Sequence, residues 1–169
     1  MGLKETMKLV SGMGMLLTGR KMTALAVFGK GFLELEAQWR ERHPEVPDTM
    51  QARWEAALAF YDETHQDPTN RLLHQIGIPM IVGGAVGLLL SNFLRPLWLA
   101  SAATFSVGWT LNLVGHALFE KAAPAFADDP LSFIAGPVWD LKQLLAQRRA
   151  AATEVVPVPP LSIEQATLN

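Results

Sequence analysis

From Gln75 to Leu94 the chain carries no Asp, Glu, Lys or Arg, and from Pro96 to Phe119 again none, with only Arg95 between the two runs. A helix needs about 20 apolar residues to cross a hydrocarbon layer ~30 Å thick, and both runs meet that length. Their short connection makes them antiparallel neighbours. The expected fold class is therefore all-α: a helical membrane protein built on an antiparallel two-span hairpin, with interfacial amphipathic helices added. A buried hairpin inside a soluble bundle is the alternative. Composition favours the membrane class, because only 18% of the 169 residues are charged and 50% are hydrophobic, against about 25% charged in an ordinary soluble domain.

Small residues at Gly83, Gly84 and Gly87 have the spacing that lets helix backbones approach closely, and Ala102, Ala103 and Ser106 are expected to face them. The same glycine-rich face is a candidate surface for a homo-oligomer. Together with Gly77 it is also a candidate space for a lipid tail.

Outside the hairpin, Phe28, Phe32, Leu35 and Trp39 recur at helical spacing, so residues 1–47 read as amphipathic helices and a loop, lying on the bilayer surface or packing on the domain. Lys4 and Lys8 precede the apolar run Leu9 to Leu17, which Gly12, Gly14 and Arg20-Lys21 cut short, so the segment is read as retained rather than as a signal peptide. His43 falls in a loop and reads as solvated. A helix capped by Asp48 or Thr49 is expected to reach about His65, and residues 48–149 are taken as the membrane-embedded domain. Within it, Leu131 to Leu145 contains Gly136, Pro137 and Asp140 and is expected to lie at the interface or re-enter rather than cross. Residues 150–169 read as a flexible, proline-containing tail.

The hairpin gathers polar residues at one level. Asp67-Pro68 supplies a cap and a first-turn proline, so a helix should start there, and the break lets His65 fold back towards His74. Asn70 and His74, four residues apart, share a face, and Asn112, His116 and Glu120 form a stripe leaving the second span. Antiparallel packing returns both ends to the same membrane face. Cations flank that face at Arg71 and Lys121, with Lys142, Arg148 and Arg149 downstream, against Arg95 at the turn. The positive-inside rule puts the histidine side in the cytoplasm, at a bacterial inner membrane or, in a eukaryote, the endoplasmic reticulum.

With no cysteine, any metal must be held by nitrogen and oxygen. Imidazole with carboxylate suits iron(II), zinc or manganese, and two histidines plus one carboxylate with open positions is the pattern of non-haem iron oxygenases. Spacing alone does not choose the metal. A net charge of −2, with acids and bases mixed, gives no basic surface for nucleic acid.

The stretch FYDETHQDPTNRLLHQIGIPMIV, followed by GHALFEKAAPAF and DPLSFIAGPVWDL, resembles the fungal 2-hydroxy fatty acid dioxygenases of phytosphingosine breakdown and their bacterial relatives. The similarity covers roughly Phe60 to Leu145 in the pattern H-x4-N-x3-H-x2-G-x-P with GH-x2-FE-x3-PA. It implies a membrane enzyme that uses Fe(2+) and molecular oxygen to shorten a long-chain 2-hydroxy fatty acid, or a related lipid, by one carbon. It matches the family's histidines to His65, His74 and His116 and its glutamate to Glu120, and implies that the histidines bind iron while Glu120 is a further ligand or orients a histidine. Asn70 and Asn112 are expected to orient ligands, and Arg71 to meet the substrate carboxylate or to be a helix-end cation. Ala122 stands where many bacterial members have asparagine. A zinc hydrolase, a bis-histidine haem protein and a non-enzymatic membrane scaffold or lipid-binding protein are the competing readings.

Overall fold

A computed structural model describes residues 3–154. The helices are α1 (Leu3–Leu16), α2 (Lys21–Arg42), α3 (Met50–Glu63), α4 (Pro68–Leu90), α5 (Pro96–Val114) and α6 (Ser132–Glu154). A π-helical turn, Gly115–Glu120, continues α5, and a 3-10 turn, Ala125–Ala127, precedes α6. No strand occurs among the described residues. The all-helical class is as expected, and the segments Pro68–Leu90 and Pro96–Glu120 are long and apolar enough to cross a membrane. The proline-containing tail beyond Glu154 lies outside the described residues.

Local chemistry sets where α4 and α5 begin. Asp67 accepts hydrogen bonds from the backbone N–H of Thr69 (2.7 Å) and Asn70 (3.0 Å), and Pro68 and Pro96 occupy the first turns of their helices, where a missing N–H costs nothing. Between the helices, Leu94 adopts a positive φ of 60°, which closes the connection.

The two helices pack backbone against backbone. A Cβ on Gly84 would stand 2.7 Å from the Phe105 nitrogen, and one on Gly108 would stand 2.7 Å from the Gly77 carbonyl oxygen. This corrects the expected facing row: Trp98, Ser101, Phe105, Gly108 and Asn112 are the buried residues of α5, whereas Ala103 and Ser106 are exposed and Ala102 is half-buried. The seam on α4 runs through Gly77, Gly84 and Leu88, in steps of seven and four residues that keep one face of a helix. Gly83 sits one residue off that seam and is exposed. The seam glycines are filled by side chains of α5, Gly77 by Asn112 and Gly87 by Ser101, so they serve close packing rather than a lipid tail.

Of the two placements expected for the amino-terminal helices, the structure shows packing on the domain. Gly19, at φ 73°, turns the chain between α1 and α2 and rests against the Phe93 ring, while the Lys21 ammonium donates to the Ser91 carbonyl. Leu16 and Ala24 join Leu88, Trp98 and Phe105 in one apolar cluster. At the far end of α2, Glu36 takes a two-pronged bond from Arg53 (both 2.8 Å). The α1–α2 pair therefore runs alongside the α4–α5 hairpin, tip beside turn.

Arg53, only 1% exposed, is the clamp beneath this arrangement. Its guanidinium also donates to Asp129 (3.0 Å) and lies 3.6 Å from the centre of the Trp39 ring. Two carboxylates and an aromatic face satisfy a charge that could not otherwise be buried. α2, α3 and the loop before α6 are thereby tied together. His43, half-buried in its loop, bonds Glu45 and stacks on Trp39, far in sequence and role from the other histidines.

Candidate metal centre

Three elements deliver one imidazole each. His65 sits in the break between α3 and α4, His74 lies two turns into α4, and His116 belongs to the π-helical turn. All three are buried. Their ring centres are 4.8 Å (His65 to His74), 4.9 Å (His65 to His116) and 4.9 Å (His74 to His116) apart, with interplanar angles of 79°, 79° and 85° in the same order. Nitrogens from all three rings fall within 4.8 Å of one another, so the cluster could hold a metal ion.

Hydrogen bonding orients two of the rings. His65 Nδ1 donates to the Tyr61 carbonyl (2.8 Å) and His74 Nδ1 to the Asn70 carbonyl (2.9 Å). A carbonyl oxygen can only accept, so both rings carry the proton on Nδ1 and keep a lone pair on Nε2. Burial, and then the neighbouring His74, hold His65 down at about 3, so its imidazole is neutral. His65 Nε2 and His116 Nδ1 are buried and find no hydrogen-bond partner among the described residues. Orphaned buried nitrogens are costly, and a shared cation would relieve them. Three imidazoles held by a common ion at about 2.1 Å have ring centres about 4.6 to 5.3 Å apart for angles between octahedral and tetrahedral. The observed triangle fits.

Glu120 does not join the triangle. Its carboxylate accepts from the backbone N–H of Gln66 (3.0 Å) and Asp67 (3.1 Å) and from Asn70 Nδ2 (2.9 Å). Glu120 closes the π turn and reaches across to the start of α4. The carboxylate instead pins the short segment that carries His65. Asn112 lines the cleft, with its Oδ1 buried and packed on Gly77, and Asn70 Oδ1 packs on Gly115. Arg71 is outside the cleft lining: it pairs with Asp62 (3.3 Å) and stands over the Trp139 ring at 4.7 Å.

Below the histidines a cleft of about 90 Å³ runs down between α4, α5 and α6. Ile78, Val82, Trp109, Leu113, Phe126 and Phe133 make its walls apolar.

Residues 51–148, which carry all three histidines, Glu120 and the whole α4–α5 hairpin, match the family described as 2-hydroxy-palmitic acid dioxygenase, Mpo1-like. The chain belongs to this family. No curated protein and no solved structure matches it. Helices α1 and α2 lie outside the Mpo1-like match.

Inside the Mpo1-like region the structure adds a layer that the motif pattern did not single out. The Tyr61 ring stacks on His65, with centres 3.8 Å apart and planes at 17°, and a Cβ on Gly136 would stand 2.7 Å from that ring, so only glycine lets α6 come this close. Tyr61 stands four residues before His65, a spacing that was readable, but the stacking depends on the helix break and on α6, which local periodicity does not reveal. Behind Tyr61, burial pushes the Asp140 carboxyl up to about 7, outweighing the Tyr61 hydroxyl and the Arg71 charge.

Two expected outcomes follow at this level. Glu120→Ala strands two backbone donors and Asn70, and should lower metal affinity about 10- to 100-fold by loosening His65; titration of the metal-free variant measures it. Asp140 has its folded value raised from 3.8, so the folded state binds the extra proton between about pH 4 and 7 and loses that contribution as pH rises through 7. Relative to Asp140→Asn, the wild type should therefore lose on the order of 3–4 kcal/mol of stability from pH 4 to pH 8, read from paired unfolding curves.

Proposed function

We propose that this chain is a membrane-embedded non-haem iron(II) dioxygenase that shortens a 2-hydroxy fatty acid, or a related lipid, by one carbon. The observation that carries the reading is the triangle of buried imidazoles at the head of an apolar cleft, in a member of a 2-hydroxy-palmitic acid dioxygenase family. His65, His74 and His116 would hold the metal. Iron(II) bound there would supply a redox-active Lewis acid with positions left open for a chelating 2-hydroxy carboxylate and for oxygen.

The chain's own groups account for the rest. Backbone carbonyls of Tyr61 and Asn70 fix two ring tautomers, and Glu120 fixes the segment bearing His65. Trp109, Phe126 and Phe133 keep water from the cleft. The overall reaction closes without a further reductant: R–CH(OH)–COOH and dioxygen give R–COOH, carbon dioxide and water. The bond between the carboxyl carbon and the carbinol carbon breaks, both carbons are oxidised, and dioxygen is fully reduced.

A site at the end of the hairpin suits such a substrate, whose head can meet the metal while its tail runs back along the hairpin at the depth of the hydrocarbon layer. Arg40, Arg42, Arg71, Lys121 and Lys142 lie on the elements at the histidine end, against Arg20, Lys21 and Arg95 at the turn, which supports a cytoplasmic histidine face. Protein purified anaerobically, loaded with iron(II) and given oxygen with 2-hydroxy fatty acids of several lengths should yield acids one carbon shorter, with one carbon dioxide for each. Stoichiometric zinc, with activity indifferent to oxygen, would contradict the proposal.

A further inference from the structure

Beside the metal-site cleft lies a second groove of about 380 Å³ between α1 and α5. From α1 it takes Val10 and Met13, from the turn that follows α1 Leu17, and from α5 Phe105 and Ser106. Trp109, Leu113 and Phe126 line both this groove and the cleft below the histidines. The two spaces thus lie side by side across a wall of three side chains, with the imidazoles at the head of one of them.

We infer that this groove seats the acyl tail of the lipid whose polar head lies at the histidines, and that α1 sets the chain length accepted. The inference rests on the oxygenase reading for the identity of the head group. Three observations support a single hydrocarbon chain as the occupant. Apart from Ser106, the side chains are all apolar, and none is charged. From His116 back to Phe105 is eleven residues, about 16 Å of helix axis, close to the depth of one leaflet of a ~30 Å hydrocarbon layer. The groove is also the roomier of the two spaces, about 380 Å³ against about 90 Å³ for the cleft next to the histidines.

The far wall comes from α1, which lies outside the Mpo1-like match. Chain-length preference is accordingly assigned to a part of the protein that carries none of the family's motif. Leu17 and Phe105, both packed in or against the cluster of Leu16, Ala24, Leu88 and Trp98, line the groove at its end nearer the hairpin turn.

The test narrows the groove from each wall in the full chain, with Met13→Trp and Ser106→Trp, and checks helicity and metal content of both variants. Binding of saturated 2-hydroxy acids of eight to eighteen carbons to the metal-free protein in nanodiscs is followed by displacement of a fluorescent fatty acid. Wild type should bind more tightly with each added carbon until the groove is full, and each variant should cut the ratio of long-chain to short-chain affinity at least tenfold. Turnover, measured on the iron-loaded proteins, should show the same fall in the long-to-short ratio of kcat/KM. Equal affinity across lengths in wild type, or a long-to-short ratio untouched in folded variants, overturns the tail slot. Length-dependent binding that the variants abolish, in a protein that turns over no 2-hydroxy acid, would sustain the slot and defeat only the reaction assigned above.

Discussion

Replacing His74 by alanine is expected to release the metal and end turnover while the helices stay in place. A supporting contact around a metal is worth about 10- to 100-fold in affinity or activity, and loss of one ring of three should exceed that. The fold does not need the ring in the same way. Its Nδ1 bond to the Asn70 carbonyl lies within α4, and removing the ring also removes one of the crowded buried nitrogens. Large-to-small changes in cores typically cost about 2–5 kcal/mol, and relief of polar crowding at the triangle should bring this one to the low end. Metal analysis, oxygen uptake and thermal unfolding on the same preparation separate the two quantities. A scaffold protein would give the opposite pattern, with stability falling steeply and no metal to lose.

The second large effect is on assembly of the hairpin, and it sets two adjacent glycines against each other. Gly84→Ala should destabilise the fold by about 1–3 kcal/mol or more, because the added methyl meets the Phe105 nitrogen, Cα and Cβ at 2.7 to 2.8 Å and backbone cannot step aside. Gly83→Ala should be neutral to mildly stabilising, since a Cβ there meets nothing within 4 Å among the described residues and alanine favours the helix by about 1 kcal/mol. Unfolding curves for the two variants test the seam directly. Equal effects would mean that α4 is rotated from the orientation described.

The elements that sequence made plain are those written in local chemistry. The two charge-free runs, the Asp67-Pro68 start and the return of His65 towards His74 each follow from capping, proline geometry or hydropathy within a few residues. The convergence of His65, His74 and His116 was legible because a short turn leaves an antiparallel hairpin few alternatives. What was not legible depends on helix rotation and long-range packing. The small-residue spacing identified a close approach but not the face that makes it, so Ser101, Phe105 and Gly108 took the places expected for Ala102, Ala103 and Ser106. The π-helical turn has no simple residue signature, and the bonds of Glu120 to the backbone of Gln66 and Asp67 join segments more than fifty residues apart. Arg53, Tyr61 and Asp140 gain their roles only when α6 and the loop before it fold back onto α3.

Iron K-edge X-ray absorption on anaerobically reconstituted protein tests the metal centre most directly, because imidazole rings give a characteristic outer-shell scattering that can be counted. One iron per chain with nitrogen at about 2.1 Å and three imidazoles in its shell is the result expected, with the count falling to two or the metal lost altogether in His74→Ala. Iron bound with no imidazole, or protein that takes up none, would contradict the centre described here.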